Sequence, residues 1–237
     1  MLFFYIRHGD PIYHPDSLTP LGQRQAEAIG RRLARHGLDR IYASTSNRAI
    51  LTATPASEIL RKDIVQLDFA NEHHAWMELT IVENEKRYWM FQHTPSKELF
   101  AQPEMRALGN HWYEHPALEK WNFKKGIDRI RTESDAFFAS LGYEHIPDSG
   151  RYKVVTPNNE RVALFAHQGF GIAFLSCLLD IPYPQYASHF DICHTGMTVI
   201  DFKEENGYAY PTVLMHSSDA HLYQSELPTT YNYNHRI

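Results

Sequence analysis

Three short stretches of this chain carry side chains able to handle a phosphate-like anion. The first is Arg7-His8-Gly9, directly after the apolar run Leu2-Phe3-Phe4-Tyr5-Ile6. An arginine presents a flat fork of donors that matches a phosphoryl group. A histidine offers a ring nitrogen that acts as a nucleophile near neutral pH. A glycine lets backbone approach closely. The second stretch is Ser44-Thr45-Ser46-Asn47-Arg48, after a short strand-like run, and the third is His167-Gln168-Gly169, after the continuously apolar Val162-Ala163-Leu164-Phe165-Ala166. Any one of them alone reads more simply as a structural residue at the end of a strand. Together they repeat one pattern: a buried strand, an abrupt cationic or imidazole side chain, then a helix. In an open α/β sheet these strand ends lie along one edge, where ligands bind.

The elements that would place them follow from periodicity and turn chemistry. Residues 2–6 predict a buried strand. Thr19-Pro20 predicts an N-cap with proline at the first helical position. Ala26, Ile29 and Leu33 recur at helical spacing, and Gly37 sits where a helix C-terminus is expected. A second strand is predicted at 40–43, and Ser46 or Asn47 could cap the next helix, with Arg48 in its first turn. Pro55 predicts a kink or break in that helix. A third strand is expected at 64–69. Residues 152–155 and 162–166 read as a hairpin across Pro157-Asn158-Asn159. Residues 197–202 and 208–215 read as another, across Glu204-Glu205-Asn206-Gly207, with a type I′-compatible turn. The strand-helix-strand opening points to parallel pairing. The expected fold is therefore α/β, a three-layer sandwich with a mostly parallel central sheet flanked by helices.

Residues 71–145 differ in character. All four tryptophans fall there, among many aromatic, His and Glu residues. The expectation is a helical insertion capping the site within a single 1–237 domain, with a long helix at 126–141. Its aromatic residues either fill core or roof a pocket. Residues 229–237 lack periodicity and either wrap the surface or serve a contact between copies, as in a homodimer.

Bulk properties narrow the function. A formal charge of −5 leaves no electrostatic footprint for nucleic acid or an anionic membrane. Two cysteines, Cys177 and Cys193, are too few for a disulfide scaffold or a Cys-rich zinc site. The 15 histidines show no HExxH-type spacing. No stretch approaches the length of a membrane span, and the N-terminal apolar run is too short for a signal sequence. The expectation is a cytoplasmic enzyme or binding protein without a metal or cofactor.

On Arg7-His8-Gly9, Leu18-Thr19-Pro20-Leu21-Gly22-Gln23-Arg24-Gln25-Ala26, the 44–53 stretch with Arg48, and the late strand ending at His167, the chain resembles the histidine phosphatase superfamily, its phosphoglycerate-mutase-like group. The resemblance implies that His8 attacks phosphorus to give a phosphohistidine. It implies that Arg7, Arg48 and His167 hold the phosphoryl oxygens, and that a carboxylic acid protonates the leaving oxygen without a metal. The acid's expected place, soon after the third strand, favours Glu72, with Glu78 as the other choice. His14 stands where the family often has an asparagine, and either contacts phosphate or is merely exposed. Gln168 interrupts the usual His-Gly pair, although its backbone N–H remains available to phosphate.

The leading expectation is a phosphomonoester hydrolase acting on a small phosphorylated molecule. A phosphoglycerate-type mutase shares the first half-reaction but needs further cations for a carboxylate, for which Lys86, Arg87 and Lys97 are the early candidates, read as solvated surface charges. A catalytically silent phosphate-binding protein has no chemical need for both histidines and both arginines. A protein phosphatase would need an open site, whereas a capping insertion predicts a roofed one and small substrates.

Overall fold

A computed structural model describes residues 1–233 and 235; of the C-terminal stretch considered above, residues 234, 236 and 237 lie outside the described residues. Six strands form the central sheet, in the order Thr212–Ser218, Met197–Asp201, Leu2–Arg7, Arg161–Ala166, Arg40–Ser44 and Ile64–Leu67. The four from Leu2–Arg7 to Ile64–Leu67 run parallel, and the other two pair antiparallel on the near side. Arg7 stands opposite Ala166, the last residue before His167.

Strand alternation divides the sheet's side chains between two cores. Phe3, Tyr5, Val162 and Leu164 pack with Phe138, Phe170 and Phe174 of the helices Phe123–Ser140 and Gln168–Leu179. Phe4, Ile6, Ala163 and Phe165 pack with Ile29, Leu33, Ala53 and Ala56 of the helices Pro20–Ala34 and Asn47–Leu60. This is the expected three-layer α/β sandwich. Because Arg161–Ala166 is covered on both sides, the strand is apolar after its first residue.

Several expectations are corrected. The helix Asn47–Leu60 continues through Pro55 without a break. The proline ring lies against Gly30 of the neighbouring helix, where a methyl group in place of the glycine hydrogen would come within 2.8 Å of Pro55 Cβ and 3.0 Å of the Ala56 nitrogen. The 152–155 and 162–166 segments do not form a hairpin, because both edges of Arg161–Ala166 are occupied by parallel neighbours. Instead Arg151–Val154 joins Tyr143–Ile146 and Tyr208–Ala209 in a small antiparallel sheet. The third strand ends at Leu67, and Asp68–Ala70 is a 3-10 turn. The aromatic-rich segment is not purely helical. It contains the hairpin Thr80–Glu83 with Lys86–Trp89, and its last helix, Phe123–Ser140, is a layer of the main sandwich.

Other local readings match. Thr19 Oγ1 caps its helix through the Gly22 N–H at 3.0 Å. Asn206 and Gly207 both take positive φ, 54° and 82°, as a type I′ turn requires. Among the described residues no helix is long and apolar enough to cross a membrane.

Placing a methyl at residue 30 sets helix propensity against overpacking. Gly30→Ala is expected to lower stability by about 1–3 kcal/mol, measured by urea unfolding, although alanine favours an isolated helix by about 1 kcal/mol. A stabilised variant would show that the two helices separate freely.

Candidate active site

The site is built where the parallel strands end. His8 follows Leu2–Arg7 and is 1% exposed. Its Nδ1 lies 2.7 Å from the Gly9 carbonyl, which only accepts, so Nδ1 carries the proton and Nε2 has the free lone pair. Burial, with the neighbouring His167 and the charges of Arg7 and Arg48, holds its pKa well below the usual imidazole range. The loop is fixed from both sides. His8 N–H donates to Ala166 O at 2.9 Å, Gly9 N–H to Thr52 Oγ1 at 3.0 Å, and Asp10 N–H to Gln25 Oε1 at 2.9 Å. A Cβ at Gly9 would lie 2.7 Å from Gly22 O, so the loop seats directly on the helix start.

Arg7 is wholly buried. Nη1 donates to Ile192 O at 2.6 Å, and Nη2 donates to Asn232 Oδ1 at 2.6 Å and to His194 Nε2 at 2.8 Å. An arginine has no acceptor, so His194 is neutral here and donates from Nδ1 to Thr230 Oγ1 at 2.8 Å. Burial and Arg7 push the His194 pKa down to about 2. Arg7 Nε is buried with no protein partner.

Arg48 lies in the first turn of its helix, as expected, but Ser46 makes no side-chain cap there. Ser46 Oγ faces His167 Nε2 at 3.2 Å instead. Arg48 Nη1 donates to Asp16 Oδ1 at 2.8 Å, and Nη2 reaches Glu72 Oε2 at 3.3 Å and His167 Nδ1 at 3.1 Å. Its Nε is also buried and unpartnered. Because His167 Nδ1 accepts from Arg48, Nε2 carries the proton and donates to Ser44 Oγ at 2.8 Å. Burial, Arg48 and Arg7 hold His167 well below the normal range.

Glu72 opens the helix Glu72–Glu78, which Asn71 caps. Its Oε1 accepts from Gly169 N–H at 2.7 Å. Glu78 is turned away and accepts from Arg129 Nε at 2.8 Å. Ligand atoms of His8, Glu72 and His167 lie within 4.8 Å of one another, so this trio could hold a metal ion. The flanking Arg7 and Arg48 make the same space better suited to an anion.

The structure thus brings Arg7, His8, Arg48, Glu72 and His167 together. Gln168 is buried beside them, with its side chain held by Asp191 and by Asn232 Nδ2 at 3.1 Å. His14 is exposed and lines a cavity of about 1140 Å³ that opens over the site. Trp76, Trp89 and Phe91 line the cavity, whereas Trp112, Phe100 and Phe123 are core, so the aromatic segment does both jobs. Lys97 also lines the cavity, whereas Arg87 donates to Thr80 Oγ1 at 2.6 Å.

Sequence reading missed His194, Asn232, Asp191 and Asp16. His194 sits in Cys193-His194-Thr195, just before a strand, and carries no motif. Asn232 belongs to the non-periodic tail, so only the tertiary fold reveals it.

A family model described as histidine phosphatase superfamily (branch 1) matches residues 4–116. No curated protein matches the chain significantly. Among solved structures, one titled mycobacterial hydrolase 1 is 18% identical, with TM-score 0.60, covering 92% of this chain and 98% of its own. The phosphoserine phosphatase of Entamoeba histolytica, solved with 3-phosphoglyceric acid, is 16% identical, with TM-score 0.59 and coverage of 93% and 98%. A mycobacterial glucosyl-3-phosphoglycerate phosphatase is 17% identical, with TM-score 0.59 and coverage of 92% and 99%. At these identities the likeness is one of fold.

Four buried histidines bear on acid stability. His8 and His167 are held well below 6.5, His194 is pushed to about 2, and burial with Arg32 takes His221 to about 3. In the unfolded chain each binds a proton near pH 6.5, so the unfolded state takes up more protons and stability falls with pH below that value. The loss is about 1 kcal/mol apiece from pH 6 to pH 5. His145 has the opposite sign. Burial lowers its pKa, but Asp135 and Asp180 outweigh this and raise it to about 9, so its contribution is complete below 6.5 and disappears as pH rises through 9. Urea unfolding is therefore expected to show a steep fall in stability between pH 6 and 5. A flat profile would mean that the four imidazoles take up protons in the folded state.

Proposed function

We propose that this chain, whose residues 4–116 match the histidine phosphatase superfamily model, hydrolyses a phosphomonoester through a phosphohistidine on His8. The observation that carries this reading is the buried His8, neutral, with Nδ1–H fixed on the Gly9 carbonyl and Nε2 free beside two guanidinium groups.

Nε2 attacks phosphorus as the bond from phosphorus to the leaving oxygen breaks. The guanidinium charges of Arg7 and Arg48, both of which act on His8, stabilise the phosphoryl oxygens. Preorganised charge of this kind is the main requirement of phosphoryl transfer. Glu72 gives its proton to the leaving oxygen. In the second step water attacks phosphorus, the N–P bond breaks, Glu72 accepts the water proton, and inorganic phosphate leaves. His167 orients Arg48. A proton at its Nδ1 when the dianion arrives turns it into a further donor. Glu78 is bound to Arg129, which supports Glu72 as the acid.

A mutase remains the second reading because Lys97 lines the cavity and could receive a substrate carboxylate. Incubation with 3-phosphoglycerate, with and without a bisphosphate primer, tests it. Robust formation of 2-phosphoglycerate over phosphate would replace the hydrolase reading.

His8→Ala is expected to abolish turnover and the acid-labile phosphoprotein seen on brief mixing. Glu72→Gln should lower kcat/KM, which reports only the step that expels the leaving group, by about 10²–10⁴ on an alkyl phosphate, and much less on p-nitrophenyl phosphate, whose leaving group needs no proton. Glu78→Gln should have little effect. Equal losses on both esters would remove Glu72 from the acid role.

A further inference from the structure

The phosphoryl site and the cavity above it meet at one place, and that place is paved with rings. Glu72 is held there by the Gly169 N–H at 2.7 Å. Trp89 lies directly on Gly169, where a Cβ would come within 2.4 Å of the indole. Trp76 is one helical turn beyond Glu72, and its ring meets Trp89 edge-on at 5.0 Å between centroids. Phe91 stacks behind Trp89 at 5.5 Å. If Glu72 protonates the leaving oxygen, the leaving group departs alongside Trp76 and Trp89.

The remaining walls continue the theme. Tyr13 lies over Arg48, with the guanidinium 5.5 Å from the ring centroid. Phe190, held by stacking on Tyr186 at 4.8 Å, and Tyr233, tied to Asp191 Oδ2 at 2.6 Å, also line the cavity. Tyr13, Phe190 and Tyr233 are 50%, 41% and 42% exposed. Large aromatic side chains left so open on a concave surface point to a ligand that covers them. A volume of about 1140 Å³ exceeds what a three-carbon acid needs. The two carboxylates on the wall are engaged: Glu72 with Gly169 and Arg48, and Asp191 with Gln168, Tyr233 and the Ile192 N–H. The polar side chains of the lining, among them His73, Gln92, Lys97 and Ser188, stand beside these rings, so the aromatic faces are the feature that a ring-bearing leaving group would use.

We propose, building on the phosphatase reading above, that the substrate is a phosphomonoester whose leaving group carries a flat ring system, seated between the Trp76 side and the Phe190–Tyr233 side of the cavity. Two sources share this chemistry, nucleosides and aryl alcohols. Paired probes separate them from ring-free esters: adenosine 5′-monophosphate against ribose 5-phosphate, and phosphotyrosine against phosphoserine. The first pair has matched leaving oxygens, so a difference reports recognition and not intrinsic reactivity.

The expected result is a kcat/KM at least tenfold higher for the ring-bearing member of one or both pairs. That ratio should fall severalfold or more in Trp76→Ala and in Phe190→Ala. Titration calorimetry on the His8→Ala protein measures the same preference as a ratio of Kd values, independently of turnover. Equal kcat/KM within both pairs, or ratios that neither variant changes, would overturn the ring-bearing class while leaving hydrolysis through His8 intact. Absence of turnover on all four esters would instead remove the phosphatase reading, and the calorimetric ratios would still decide whether the cavity selects rings.

Discussion

A full positive charge held entirely out of water is the constraint on which this site depends. Arg7 is at the end of the central strand and has no exposed surface. Desolvating a guanidinium is costly unless its donors are matched. The chain meets this with neutral acceptors, a backbone carbonyl from Ile192, the imidazole of His194 and the amide of Asn232. Among the described residues no carboxylate hydrogen-bonds to it, so its charge stays available to an incoming anion. Arg48 is handled differently. Asp16 and Glu72 both approach it, and Tyr13 covers its face. The site therefore combines one cation that is fixed without a carboxylate hydrogen bond with one whose carboxylate contacts an arriving dianion competes for.

That difference also shapes the histidines. Each buried imidazole has its tautomer set by a partner that can only donate or only accept. Gly9 O places the proton on Nδ1 of His8, Arg7 places it on Nδ1 of His194, and Arg48 places it on Nε2 of His167. The nucleophile's lone pair is thus prepared by backbone geometry before any substrate enters.

The sheet and the main residues of the site were legible because they rest on local patterns. Apolar runs at 2–6 and 162–166 are interrupted by charged or imidazole side chains, and Thr19-Pro20 starts a helix as its chemistry requires. What sequence reading lost is where competition between elements decides. Residues 152–155 have the pattern of a hairpin arm, but the expected partner strand is already paired on both edges, which no local signal reveals. Pro55 reads as a kink or a break, yet the helix runs from Asn47 to Leu60 through it, with the proline packed against Gly30. His194 and Asn232 become meaningful only through a contact with Arg7 that spans the whole fold.

Arg7 and Asn232 are 225 positions apart, and the strand carrying Arg7 is flanked by strands that come from residues 161–166 and 197–201. The strand that comes earliest within this sheet therefore lies at its middle and has neither neighbour until residues 161–166 and 197–201 follow. Long-range pairing of this kind slows folding and lengthens the time that apolar edges stay unpaired. In a nascent chain both edges of Leu2-Phe3-Phe4-Tyr5-Ile6 stay unpaired until residues 161–166 and 197–201 have been made, although Ile29 and Leu33 can cover Phe4 and Ile6 much earlier.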